Sequence, residues 1–309
     1  MKTMADRMRA AGCWAVLALA SAAQARTWTS TDGRTIEADF VRGDDTSVTV
    51  LKGGREVSIP LAKLSEEDAR FVREKVAAAG QVDLSELGEY AKFAKGEWVK
   101  GEIEDLKFQI WAPASFKAGK DLPLVMFLHG VGERGDDNER QVNGLPRTFA
   151  SPQNQAVRPC IVVAPQCPPE VFWSNPEITE NIIDLTEDLA ENLPVDEDRI
   201  YVAGFSMGGF GTWSVIAEEP KLFAAAVPIS GGGNPANARD LRKLPIWNFH
   251  GEKDETVSVE QSREMVEALE KAKADITYTE IPGADHGIAD QVLRDEKLQQ
   301  WLFSKTRAK

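Results

Sequence analysis

An α/β domain built on a mostly parallel sheet, preceded by a small all-β module, is predicted by three observations. Continuous apolar runs recur from about residue 101 onward, as strands buried on both faces require. Stretches with helical spacing separate those runs, which is the texture of alternating strands and helices. Ahead of both, residues 26–60 break into short alternating runs divided by turn signals, the pattern of a small antiparallel sheet.

The chain has 309 residues, 42% hydrophobic and 28% charged, which excludes a disordered or low-complexity protein. Its length suits one large domain with a small companion. A net charge of −13 excludes nucleic acid as the main partner, because phosphate binding needs clustered Lys and Arg. The one apolar run near spanning length lies at the extreme N-terminus, so no internal transmembrane helix is expected.

That N-terminal run reads as a secretory signal over residues 1–25. Lys2, Arg7 and Arg9 form a basic head, residues 10–20 are apolar, and Ala23 and Ala25 make a small-residue cleavage site. Arg26 then begins the mature chain, which is expected to be secreted or periplasmic, with no membrane span left. Cys13 lacks a Leu three residues before it, so no lipid anchor is expected. Export permits a disulfide between Cys160 and Cys167, but the chain between them reads as an extended strand. That would hold the sulfurs about 20 Å apart at roughly 3.3 Å per residue, so both are expected to be free.

Residues 26–76 form the small domain. Trp28 lies in the first run, and Asp32-Gly33 turns. Ile36, Ala38 and Phe40 share a face, Val48 and Val50 follow, Gly53-Gly54 turns again, and Val57 and Ile59 close the set before Pro60. Ser65 caps a helix with Asp68 three residues on, and Ala69, Val72 and Val76 line one face. Through Arg26-Thr27-Trp28-Thr29, Asp32-Gly33-Arg34 and Pro60-Leu61-Ala62-Lys63-Leu64-Ser65 this segment resembles the SH3-like Sla homology domain, which implies a structural or tethering accessory. Residues 77–100, rich in Ala, Gly and charge, read as a linker with a helical piece.

From 101 to 309 the elements follow in order. Leu106, Phe108 and Ile110 alternate as a half-exposed strand, and Leu124-Val125-Met126-Phe127-Leu128 and residues 160–164 read as buried ones. Ile182, Leu185, Leu189 and Leu193 fall at helical spacing. Further strands are expected at 200–203, 224–229, 245–249 and 276–281, and helices at 207–218, 258–272 and 290–303.

Gly204-Phe205-Ser206-Met207-Gly208 falls between the strand at 200–203 and the helix at 207–218, at the sharp turn a nucleophilic serine occupies. A serine hydroxyl needs a base, and the base an orienting acid, following it in chain order. Of the three histidines, His129 precedes Ser206, and His250 ends a strand with no acid-bearing turn before it. His286 lies in a loop after the 276–281 strand and is the candidate base. Asp254, five residues past Phe249, is the candidate acid; Glu252 and Glu255 compete, and Asp285 is too near its own neighbour. Backbone N–H groups of Met207 and of Val131, in the loop Leu128-His129-Gly130-Val131-Gly132, are the candidate oxyanion donors, with His129 bracing that loop.

With these residues in place, the catalytic segment resembles the α/β-hydrolase superfamily, specifically the bacterial carboxylesterase and "predicted peptidase" group related to dienelactone hydrolases and feruloyl esterases. Its marks are His129-Gly130-Val131-Gly132-Glu133-Arg134-Gly135 with Asp137-Asn138, Ala164-Pro165-Gln166-Cys167-Pro168, the Ser206 pentapeptide, His250-Gly251 with Asp254, and Asp285-His286-Gly287. The resemblance implies the α/β-hydrolase fold, a doubly wound, mostly parallel sheet, over residues 101–309. Trp173, in a Pro-rich loop at a strand's carboxyl end, is a candidate substrate platform. No Cys/His spacing suggests a metal, and no cofactor is expected. The reading is an exported serine esterase acting on a small-molecule or polymer-borne ester. A peptidase or polyester depolymerase, and a non-catalytic polymer-binding protein, are the alternatives; the oligomeric state is open.

Overall fold

The computed structural model describes residues 26–44, 46–79 and 81–307. The expected export signal over 1–25, with Cys13, lies outside the described residues. The chain forms two compact units, divided between Gly80 and Gln81.

In the first unit, β1 (Arg26–Thr29), β2 (Thr35–Gly43), β3 (Ser47–Lys52) and β4 (Arg55–Pro60) pair antiparallel in sequence order. The β3–β4 turn needs positive φ at both central residues to match strand twist; Gly53 and Gly54 supply it at +56° and +78°. Trp28, Ala38, Val48, Val50, Leu61 and Leu64 bury one face of this sheet against Ala69 and Val72 of α1 (Glu66–Ala79). Ser65 Oγ accepts the Asp68 N–H at 3.2 Å. Asp68 does not return the bond to the cap backbone as a full capping box would. It accepts instead from Thr29 N–H at 2.7 Å and pairs with Arg26, tying the start of α1 to β1. The SH3-like identity of this unit rests on sequence resemblance alone.

The second unit carries an eight-stranded sheet. Its elements are β5 (Trp98–Ile103), β6 (Leu106–Trp111), β7 (Leu122–Leu128), α2 (Arg147–Ala150), α3 (Pro152–Val157), β8 (Ile161–Pro165), α4 (Pro176–Asn192), β9 (Val195–Phe205), α5 (Met207–Glu218), β10 (Ala225–Ile229), β11 (Ile246–Gly251), α6 (Glu260–Lys271), β12 (Ile276–Ile281), α7 (Ala289–Leu293) and α8 (Glu296–Ser304). The strand order is β12-β11-β10-β9-β7-β8-β6-β5. The six strands from β12 to β8 run parallel; β6 and β5 are antiparallel to their neighbours.

Alternate residues of a strand face opposite sides, and here both sides are covered. On β7, Leu124, Met126 and Leu128 enter one core layer with Ile182, Leu185 and Leu189 of α4, Trp213 of α5 and Met265 of α6. Val125 and Phe127 enter the other, with Ile288, Val292, Leu298 and Leu302 from the C-terminal helices. Covering on both faces is why β7 and β8 read as unbroken apolar runs.

Three expectations need correction. Residues 77–100 are not a linker over most of their length: Trp98–Ile103 is the edge strand β5, and Leu84–Phe93 is a 3-10 segment on the core. Its Phe93 is buried against Phe108 at 5.8 Å, and Tyr90 donates its hydroxyl to Asp188 of α4 at 2.7 Å. The strand around Leu106 is buried rather than half-exposed, because β5 takes the edge in its place. The helix expected over 290–303 divides into α7 and α8, where Asp295 accepts the Lys297 N–H at 2.9 Å and caps a new start.

Truncation of a buried aromatic typically removes about 3–5 kcal/mol. Phe93→Ala is therefore expected to destabilise the second unit by that amount in chemical denaturation, whereas a true linker would lose less than about 0.5 kcal/mol.

Candidate active site

The sheet's carboxyl edge owes its shape to glycines that admit no side chain. A Cβ on Gly204 would lie 2.2 Å from the carbonyl oxygen of Gly208, and one on Gly208 would lie 1.8 Å from that of Leu128. A Cβ on Gly209 would meet the Ile229 carbonyl at 2.5 Å. The first turn of α5 therefore packs directly on the ends of β7 and β10. Ser206, between β9 and α5, takes φ 57° and ψ −116°, a costly conformation for a residue with a Cβ. Its N–H donates to Ile229 O at 2.9 Å, and its carbonyl accepts from Phe210 N–H at 3.1 Å.

His286 sits in the loop after β12, with Nε2 2.8 Å from Ser206 Oγ and Nδ1 2.6 Å from Asp254 Oδ2. A carboxylate only accepts, so Nδ1 carries the proton and the Nε2 lone pair faces the hydroxyl. Asp254 Oδ1 accepts the N–H groups of Thr256 and Val257, each at 2.9 Å. Burial pushes the Asp254 carboxyl up, but the bonds from His286, Val257 and Thr256 outweigh it and hold the group below its ordinary range. Acid and base loops are laced together: Lys253 N–H donates to Ala284 O at 2.8 Å and Glu252 N–H to Ile281 O at 3.1 Å. A Cβ on Gly251 would meet Asp285 O at 2.2 Å. The Phe205 ring covers the His286 imidazole at 4.8 Å.

Met207 opens α5, where the N–H groups of a first turn have no carbonyl behind them in the helix. Val131 opens a 3-10 turn, Val131–Glu133, after β7. His129 holds the start of that turn. Its Nε2 accepts the Cys167 N–H at 3.0 Å, which leaves Nδ1–H to donate to Gly130 O at 2.6 Å. Burial lowers its pKa to about 4, so it is a neutral strut. Gln166, a role absent from the sequence reading, is a second one. Its Nε2 donates to Glu133 O at 3.1 Å and Asp137 Oδ1 at 2.9 Å, and its Oε1 accepts Asn138 N–H at 2.6 Å.

Trp173 is not a substrate platform. It is fully buried, its Nε1–H donates to His129 O at 2.9 Å, and its ring meets the His129 ring edge-on at 4.9 Å. It braces the loop carrying Val131. Its neighbour Phe172 is 53% exposed, with the Arg134 guanidinium 5.0 Å over its ring. Cys160 and Cys167 are buried and free, and burial pushes both thiols up to about 12. His250, set aside in the sequence, stands behind Asp254: its Nε2 is 3.3 Å from Asp254 Oδ2. Among the described residues no group of His, Cys, Asp or Glu is placed to hold a metal, and no helix is long and apolar enough to cross a membrane.

A hydroxyl facing an imidazole whose far nitrogen is held by a carboxylate can give up its proton and act as a nucleophile. A family model described as the dienelactone hydrolase family matches residues 169–299, a stretch containing Ser206, Asp254 and His286. A thermostable esterase of solved structure is similar at 35% identity and a TM-score of 0.65, over 70% of this chain and 64% of its own. Probable carboxylesterase SOBER1-like of Arabidopsis thaliana is 23% identical over 212 residues, 60% of this chain and 79% of its own length. The bifunctional acetylxylan esterase/xylanase XynS20E of Neocallimastix patriciarum is 26% identical over 155 residues, and the chain spans 22% of its length. Sheet order, helix placement and these likenesses together give the second unit the α/β-hydrolase fold.

An unfolded chain's imidazole takes up a proton near pH 6.5, but His129 in the fold takes one up only near 4. Acidification through that window therefore favours the unfolded state, by up to roughly 3 kcal/mol. Glu133, whose carboxyl burial holds above its ordinary range, works the opposite way over part of the window, so the informative quantity is a difference. Denaturant unfolding at pH 6.5, 5.5 and 4.5 is expected to show a shallower pH slope for His129→Gln than for the wild type. Equal slopes would remove His129 as the source.

Proposed function

We propose that the chain is a serine hydrolase cleaving carboxylic esters through an acyl-enzyme. The observation that carries the reading is the continuous contact Ser206 Oγ to His286 Nε2 at 2.8 Å and His286 Nδ1 to Asp254 Oδ2 at 2.6 Å, set at a strained strand-to-helix turn. Ser206 Oγ attacks the ester carbonyl while His286 Nε2 takes its proton. The N–H groups of Met207 and Val131 receive the oxyanion. As the tetrahedral intermediate collapses, the C–O bond to the alcohol breaks and His286 returns the proton to the leaving oxygen. A water deprotonated by His286 then attacks the acyl-enzyme and frees the acid and Ser206. Asp254 holds the imidazole in its Nδ1–H form throughout.

The printed names of the similar proteins, a carboxylesterase and an acetylxylan esterase among them, support an ester as substrate. The exposed Val131 and Phe172 supply an apolar rim beside the oxyanion loop. Residues 1–25 act in this reading as an export signal, and the small first unit as an SH3-like accessory that holds the enzyme near its substrate.

Initial rates on p-nitrophenyl esters from acetyl to long acyl chains, with a feruloyl ester included, test the reading. Ser206→Ala is expected to lose at least about 10⁴-fold in kcat while remaining folded. Near-wild-type activity in that variant would overturn the nucleophile. Silence of the folded wild type across the series would overturn the esterase and favour peptide substrates or a binding role.

A further inference from the structure

The carboxylate of Asp254 lies between two imidazoles. His286 approaches Oδ2 at 2.6 Å from one side, and His250 Nε2 at 3.3 Å from the other. His250 is wholly buried, and the same Nε2 lies 2.9 Å from Val257 O. A backbone carbonyl only accepts, so His250 Nε2 must carry a proton. That proton goes to Val257 O, and Asp254 Oδ2 lies 3.3 Å from the same nitrogen.

The other side of the ring meets a hydroxyl, which is compatible with the same tautomer. His250 Nδ1 is 2.7 Å from Ser262 Oγ, whose further neighbours are Gly231 O at 3.1 Å and Asn248 Oδ1 at 3.3 Å. Ser262 has one proton and, as drawn, faces acceptors on every side. Asn248 Nδ2 meanwhile is buried with no partner. The two ends of an amide are nearly isosteric, and turning Asn248 end for end gives its Nδ2 a partner and frees the Ser262 proton, while Oδ1 takes the unpartnered place. Asn248 Nδ2–H then donates to Ser262 Oγ, Ser262 Oγ–H donates to His250 Nδ1, and His250 Nε2–H donates to Val257 O beside Asp254 Oδ2.

We propose that His250 is a positioning residue that acts through Asp254: its Nε2–H, bonded to Val257 O, sets a positive ring edge 3.3 Å from Oδ2 and limits how strongly Oδ2 pulls on the proton of His286. This rests on the Ser206–His286–Asp254 reading above. Oδ1 is occupied by two backbone N–H groups, and Oδ2 accepts from His286 with the edge of His250 beside it. Without His250, Oδ2 would lose that neighbouring N–H dipole and hold the proton of His286 more strongly.

Other charges near this pair are accounted for. Glu280 of β12 is the register partner of His250, but its carboxylate is engaged by Arg263 of α6 at 2.5 and 2.9 Å and by the Tyr278 hydroxyl at 2.8 Å. Asp285 adjoins His286 and accepts Gly287 N–H at 2.9 Å. Glu252 and Lys253 follow His250 in its own loop, and the Glu252 carboxylate accepts Gly283 N–H at 2.6 Å. On the loop after β7, Glu133 lies 3.9 Å from His129 Nδ1.

The test compares His250→Leu, which removes the donor, with His250→Gln, whose amide nitrogen reaches the place of Nε2. The readouts are the pH profile of kcat/KM and the ¹⁵N titration of the imidazoles, of which the chain has only three. His250→Leu is expected to lower kcat by about tenfold or more and to move the His286 midpoint, with the acid limb of the profile, up by roughly half to one pH unit. His250→Gln is expected to restore both. Equal losses in Leu and Gln, or a midpoint unmoved in Leu, would reduce His250 to packing and overturn the proposal. Should neither variant fold, the wild type decides: the His250 Nε2–H signal should shift with the midpoint of His286, and indifference to it would overturn the coupling. A wild type without esterase activity would sink the earlier reading, while the imidazole titration would still judge this one.

Discussion

Three absent Cβ atoms set the terms for the rest of the molecule. Gly204, Gly208 and Gly209 let the first turn of α5 rest on the carbonyls of β7 and β10, and that contact holds Ser206 at a positive φ its side chain resists. A strained turn persists only where its surroundings leave no alternative. Here the surroundings are two core layers closing on both faces of the sheet, with β9 at its centre. The position of the Ser206 hydroxyl opposite His286 is thus set largely by backbone packing.

Around that turn the polar groups are locked by one-way hydrogen bonds. Each imidazole meets at least one partner that can only donate or only accept: Cys167 N–H for His129, Val257 O for His250, and the Asp254 carboxylate for His286. Each ring therefore has one tautomer. The loop carrying Val131 depends on the same logic, because Trp173 Nε1–H can do nothing but donate, and the carbonyl it finds is that of His129.

What the sequence disclosed divides along physical lines. The helix over 207–218 and the strand over 276–281 appear with those bounds, since each is closed by local signals, a Gly-Ser turn in the first case and Pro282-Gly283 in the second. Ser206, Asp254 and His286 were legible as candidates because chain order and strand ends restrict the choice. Trp173 was misread because an aromatic in a Pro-rich loop looks alike whether it points out or in; only the fold brings it to a carbonyl 44 residues away. His250 was passed over because its partners, Ser262 and Asp254, lie beyond the strand it ends. The stretch 84–93 resembled a linker because charge and Ala dilute Leu84, Leu87, Tyr90 and Phe93, four residues that find their partners on the sheet.

Enclosing the rings also decides what a reagent in water can reach. The side chain of His129 is 3% exposed and that of His250 is 0%, while His286 keeps 22%. An imidazole-acylating reagent such as diethyl pyrocarbonate therefore meets one target on the folded chain. Carbethoxylation, counted by absorbance, amounts to a stoichiometric titration of His286, with no surface histidine to blur the end point.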